Sequence, residues 1–378
     1  MKSNEGFRWG AGASSVTIDG VAPASELAVW EHDGRHPPGP ATGFGTSFPA
    51  DLAELADKGL TQVRLTLEWA RIEPSDGQVD VGAVEHLQTV LATARESGVS
   101  VWACLHDDTL PGWFAHDERG FGDPRSRRYY WARHVEQVGE LFGHLVDGWL
   151  PVFEPTRWAY QGWITAQRPP GSTGDAKGFA QALEGVHLAS VEAALCLRGS
   201  GRPVATAQWM VPLFPARPDP DTPAPAEAQA MTSVVDEALF GSWHRMLTEE
   251  TLQVGHRGPV EVPGAREAFD LIGFTYRHGA AVRGDGVLLP YPQTLDLGPD
   301  GQVPWAHGFG LSLHHLADAF PEHPLLAVGV PTGDPDDRRA AETSREVAEI
   351  AQEAVADGID LRGLWWNGPL AATPPAPA

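Results

Sequence analysis

Eight short apolar runs recur along the chain, at residues 8–12, 63–67, 100–105, 149–153, 203–208, 270–275, 325–329 and 362–366. Most are continuously apolar rather than alternating, which is the pattern of strands covered on both faces in a parallel sheet. Longer segments with helical periodicity lie between them. Over 83–97, Val84, Leu87, Leu91 and Ala94 fall on one face, with Asp80 placed to cap the start. The same periodicity runs through 127–145, 179–197 and 342–356. Eight strands alternating with helices predict a single α/β domain, a (β/α)8 TIM barrel over residues 1–370, rather than an open doubly wound sheet. Two stretches interrupt the rhythm. Segment 212–225 holds six prolines and reads as an extended loop, and 283–308 carries Gly-Pro-Asp-Gly at 298–301, a turn between possible short strands. The Ala/Pro/Thr stretch 371–378 is expected to be a disordered tail.

Charge and composition narrow the partners. The formal net charge is −23, which repels phosphate backbones and anionic membranes, so nucleic acid and membrane are not expected partners. No apolar run approaches the ~20 residues of a membrane span. The opening residues lack the apolar core of a signal peptide, which predicts a cytoplasmic protein. Two cysteines, Cys104 and Cys196, exclude a disulfide framework and a Cys-rich metal site. His106 and Asp107 are adjacent on a strand and point to opposite faces, so no metal is expected there. No phosphate-binding glycine loop or nucleotide fingerprint is present, and no cofactor is expected. Fourteen tryptophans against five tyrosines fit either core packing or platforms for flat amphipathic ligands such as sugars.

A series of motifs sharpens this picture. Phe7-Arg8-Trp9-Gly10-Ala11-Gly12-Ala13-Ser14-Ser15 opens the chain, followed by Ile18-Asp19-Gly20. Arg64-Leu65-Thr66-Leu67-Glu68-Trp69-Ala70-Arg71-Ile72-Glu73-Pro74 and Leu105-His106-Asp107-Asp108-Thr109-Leu110-Pro111 come next. Then follow Trp149 with Phe153-Glu154-Pro155, Pro170-Gly171, and Asp270-Leu271-Ile272-Gly273-Phe274-Thr275-Tyr276. Trp305 with Gly310-Leu311, and Asp357-Gly358-Ile359-Asp360-Leu361-Arg362-Gly363, complete the set. In this order the motifs resemble glycoside hydrolase family 1, the β-glucosidases and β-galactosidases. The resemblance implies the eightfold barrel independently of the strand count. It also implies a small-molecule glycoside or sugar-like ligand, with Glu154 as the acid/base.

Retaining hydrolysis needs a second carboxylate about 5–5.5 Å from the first. The family's nucleophile motif maps onto Ala327-Val328-Gly329-Val330-Pro331, so the nucleophile position is Gly329. Counting back from Asp336-Asp337 gives the same alignment. Other sugar contacts of the family are also replaced: Thr17, Asp107, Phe153, Thr275 and Arg277 stand where it has Gln, His, Asn, Asn and Tyr. Arg64, which the family pairs with the nucleophile, is left to Asp107, Glu154 or an anionic ligand. Glu68, Asp107, Asp108 and Asp334 are candidate replacement carboxylates, with Asp107 favoured. Inverting hydrolysis tolerates a wider gap of roughly 6.5–9.5 Å. The residues expected to contact ligand are Arg64, Asp107, Trp163, Tyr276, Arg277, Trp305 and Trp366, and Trp158 is a further aromatic near the expected cleft. Three readings follow: a family 1 hydrolase with altered chemistry, a pseudo-glycosidase that binds a sugar without turnover, and a barrel recruited to general-acid chemistry by Glu154 on a non-sugar substrate.

Overall fold

In a computed structural model that describes residues 6–36, 41–219, 221–298, 301–332, 338–370 and 373–377, seven of the eight apolar runs form strands of one parallel sheet and the fifth leads into its remaining strand. The strands are β1 (Arg8–Gly12), β2 (Gln62–Thr66), β3 (Ser100–His106), β4 (Gly148–Val152), β5 (Gln208–Met210), β6 (Ile272–Tyr276), β7 (Leu325–Pro331) and β8 (Leu361–Asn367). Their order in the sheet is β4-β3-β2-β1-β8-β7-β6-β5. The two ends meet where Trp149 pairs in parallel with Val204, just ahead of β5, and the Glu154 N–H donates to the Ala207 carbonyl. The sheet is therefore curled into a (β/α)8 barrel.

Alternation along each strand separates two cores. Trp102, Cys104, Leu150, Ala205, Leu326 and Trp365 fill the interior. A larger outer cluster lies between sheet and helices, built from residues such as Val63, Val101, Phe274 and Leu364. The covering helices include α1 (Val81–Glu96), α2 (Ala132–Phe142), α3 (Pro155–Trp163), α4 (Ala176–Leu197), α5 (Ala306–Ala319) and α6 (Arg338–Ala356). Asp80 caps α1 by accepting from the Ala83 N–H, as its position predicts.

Two segments differ from expectation. The proline-rich stretch is not loop throughout: Leu213–Pro215 pairs with Gly279–Val282, which forms a hairpin with Leu288–Tyr291. Pro215 is accommodated in an edge strand of this small sheet, where no ladder N–H is needed. Pro299 and Asp300 of the expected turn lie outside the described residues. The terminal segment expected to be disordered is, over 373–377, laid on the barrel. Thr373 is buried and the Ala376 N–H donates to the Lys58 carbonyl at 2.9 Å, which ties down a backbone that composition alone leaves free. Among the described residues, no helix is long and apolar enough to cross a membrane.

Candidate functional site

The alternation that builds the cores also selects the residues at the carboxyl ends of the strands, where barrels of this type carry their sites. On β6, Phe274 and Tyr276 turn outward onto Phe309 of α5, while Thr275 and the following Arg277 turn inward. On β3, His106 packs outward on Phe121 and Trp158, and Asp107 faces the interior. On β8, Trp366 turns outward and stacks with Trp9, and Asn367 turns inward.

Glu154 leaves β4 and starts α3 in a left-handed conformation, φ +48° and ψ +51°, with Pro155 at the first helical position. For a non-glycine residue that conformation costs of order 1–3 kcal/mol and persists only where the surroundings impose it. Here they do. The side chain is 3% exposed and accepts four hydrogen bonds. Oε1 takes the Thr275 hydroxyl and Arg277 Nε, both at 2.7 Å. Oε2 takes Arg277 Nη2 at 3.1 Å and Arg157 Nη1 at 2.8 Å. Burial alone would raise this carboxyl, but the charges of Arg277 and Arg157 and their hydrogen bonds override it and hold Glu154 at about 2. A general acid works best with its pKa near the operating pH. The two arginines thus favour the ionised form of Glu154 over the protonated form that a general acid requires. Burial and the like charge of Arg277 lower Arg157 to about 10, so it too stays ionised at neutral pH.

Arg64 belongs to a second, closed arrangement. It is 1% exposed, donates to Asp107 Oδ2 at 2.5 Å and to Asn367 Oδ1 at 2.8 Å, and lies 3.8 Å over the Phe153 ring. Gly12 makes room for it: a Cβ there would stand 2.9 Å from Arg64 Nε. Thr66 also donates to Asp107, and burial pushes the Asp107 carboxyl up against the pull of Arg64. The other candidate carboxylates are engaged as well. Glu68 accepts from the Ser15 and Thr109 hydroxyls and caps the turn Trp69–Ile72, and Asp108 is paired with Arg168. Asp334, like the Asp336-Asp337 pair, lies outside the described residues.

Position 329 lies between the two arrangements. A Cβ on Gly329 would meet Phe153 Cζ and Thr275 Cγ2, each at 3.0 Å. Both neighbours face the interior, so a side chain at 329 would press on Phe153 and Thr275.

The family model for glycosyl hydrolase family 1 matches residues 4–246. The chain belongs to this family. Among curated relatives, beta-glucosidase A of Thermotoga maritima is 26% identical over 182 residues, 45% of this chain and 40% of that protein. Beta-glucosidase 47 of Arabidopsis thaliana is 24% identical, over 53% of this chain and 41% of its own. The matches thus span about two-fifths of the length of these relatives. Among solved structures, the beta-glycosidase from Pyrococcus horikoshii superposes with a TM-score of 0.84 at 19% identity, over 97% of this chain and 85% of that one. The Thermotoga maritima beta-glucosidase in complex with glucoimidazole gives 0.80 at 17%, over 96% and 88%.

On this family 1 barrel the expected ligand residues are scattered. Arg277 is brought onto Glu154, and Arg64 and Asp107 onto each other. Tyr276 faces out and donates its hydroxyl to the Trp305 carbonyl, which fixes that segment. Trp305 packs edge-on against Tyr291 and Phe214. Trp163 packs on Trp158 and borders a separate pocket with Glu26. Trp366 is buried in the outer layer, because it follows the inward-facing Trp365 on the same strand. Beside Glu154 opens a cleft of about 440 Å³, lined among others by Arg157, Arg277, Tyr160, Trp209 and His278. Sequence reasoning missed Arg157 and Trp209. The signals were one helical turn from Glu154 for the first and the inward alternation Ala205, Ala207, Trp209 for the second.

Proposed function

We propose that this family 1 protein binds a sugar or sugar-like ligand at the mouth of its barrel and does not carry out retaining hydrolysis. The observation that carries the reading is the Glu154 carboxyl bonded to both Arg277 and Arg157, with a glycine at 329 where a Cβ would press on Phe153 and Thr275. The double-displacement route needs one carboxyl to donate a proton and another to attack the sugar. Here the first is ionised and the second is replaced by a glycine. An inverting route through Asp107 meets the same obstacle, since that carboxylate is committed to Arg64. General-acid chemistry on another substrate is disfavoured for the same reason as the first step. The sugar-like ligand is supported by family membership and by relatives whose solved complexes hold glucoimidazole and galacto-hydroximolactam.

The test is a panel of nitrophenyl β-glycosides, run with and without azide or formate, alongside thermal shift with the free sugars. No turnover above the buffer rate and a sugar-dependent rise in Tm are expected. Turnover of nitrophenyl β-glucoside, or a rate that appears only with azide or formate, would overturn the non-hydrolytic reading.

A further inference from the structure

The cleft beside Glu154 carries more positive charge than its carboxylate neutralises. Nearby, charges pair one to one, Arg64 with Asp107 and Arg168 with Asp108. At Glu154 two guanidiniums share one carboxylate. Among the described residues that leaves one charge over, in a chain whose net charge is −23. Arg277 keeps 24% and Arg157 21% of its side chain exposed, and both line the cleft. Among the described residues, no Asp or Glu lines it. Arg277 uses Nε and Nη2 on Glu154, and Arg157 uses Nη1. Among the described residues, Nη1 of Arg277, and Nε and Nη2 of Arg157, have no hydrogen-bond partner. The buried indole N–H of Trp209, at the same cleft, has no protein acceptor either.

A guanidinium is always charged and presents paired N–H groups that match a carboxylate or phosphate. Such charge-assisted bonds are about twice as strong as neutral ones. We infer that the ligand of this cleft is acidic: a sugar or sugar-like molecule bearing a carboxylate or phosphate, bound by Arg157 and Arg277. The inference rests on the reading of the mouth as a sugar site and adds the charge of what enters it. Glu154 then acts as an internal competitor, occupying donors that would otherwise face the ligand anion.

Calorimetric titration at low salt with glucose, glucuronate, glucose 6-phosphate and inorganic phosphate tests this. Glucuronate or glucose 6-phosphate should bind at least about ten-fold more tightly than glucose, and the advantage should shrink with added salt. Which of the two binds better tells carboxylate from phosphate. Glu154→Gln should widen the preference several-fold by releasing the arginines, and Arg157→Gln should abolish it. Should Arg157→Gln fail to fold, Arg157→Lys, which keeps the charge but not the paired donors, should reduce the preference several-fold. Glucose binding as tightly as both acids, or a preference unmoved by Glu154→Gln, would overturn the inference and leave the sugar reading standing. Inorganic phosphate binding as tightly as glucose 6-phosphate would sink the sugar reading and keep the anion site. No heat from any of the four would sink both.

Discussion

Arg64 and the Arg157–Arg277 pair sit at the same end of the same barrel and differ in stoichiometry and access to water. Arg64 has one carboxylate, one amide and an aromatic face around it, and is sealed from solvent. Arg157 and Arg277 divide one carboxylate and border an open cleft. A balanced, sealed pair is part of the scaffold, because any ligand would have to replace bonds already made in a low-dielectric interior. An unbalanced, half-open cluster leaves donors and charge at the cleft among the described residues, which is what the proposed anion site rests on. Residue type alone does not distinguish the two, since both are arginines beside acidic residues.

The largest expected effect is on the sealed side. Asp107→Ala leaves a buried guanidinium without its counter-ion and should cost about 3–5 kcal/mol, read as a lower urea midpoint. A loss below about 1 kcal/mol would break the comparison, because such a pair would not be scaffold. On the open side the effect is one of pH. Glu154 sits at about 2 in the folded protein against an ordinary 4.5, so its contribution is present above pH 4.5 and lost as pH falls toward 2. At ~1.4 kcal/mol per unit this amounts to roughly 3 kcal/mol. Unfolding free energies of wild type and Glu154→Gln across that range measure it, and the variant should lack the slope. Equal slopes would show that the arginines do not hold the carboxylate.

Gly329→Glu probes the ground between the two clusters. Its Cβ would press on Phe153, which lies under Arg64, and on Thr275, which donates to Glu154. It should cost about 1–3 kcal/mol in thermal or urea unfolding, as overpacked cores do, and restore no hydrolysis of nitrophenyl β-glucoside. Activity in this variant would mean that Glu154 can surrender its arginines, and the contrast with Asp107 would narrow. The smallest effect belongs to Tyr276→Phe. It removes one hydroxyl–carbonyl bond to Trp305, worth about 1 kcal/mol, and should leave ligand affinity unchanged because the ring faces away from the cleft. A change in affinity would extend the open site outward through α5.

The strands were legible because a parallel strand buried on both faces is written as an unbroken apolar run. β1 begins and ends where that run does, and β6 and β8 are displaced by only one or two residues. The fifth run was harder: the ladder forms only at Gln208–Met210, although Val204 and Ala205 bridge to their neighbours earlier. Helix α5 went unread, since Gly308 and Gly310 fall within its first turns and mask its periodicity. At the site, motif order singled out Glu154, Arg64, Asp107 and Arg277. The pairing among them was not legible, because Arg277 reaches Glu154 across 123 residues and Arg64 reaches Asp107 across 43. Trp366 and Tyr276 were expected at the mouth and face outward, since a shift of one residue along a strand exchanges the two faces.

By itself, the sequence determined the barrel, the family and the glycine at 329, all of which follow from local periodicity and from residue identity read in order. Only the tertiary structure decided that Glu154 bonds two arginines, that Asp107 pairs with Arg64, and that a cleft opens beside Arg157 and Arg277. Those outcomes depend on distance, burial and dielectric between residues far apart in the chain, quantities that no local pattern encodes.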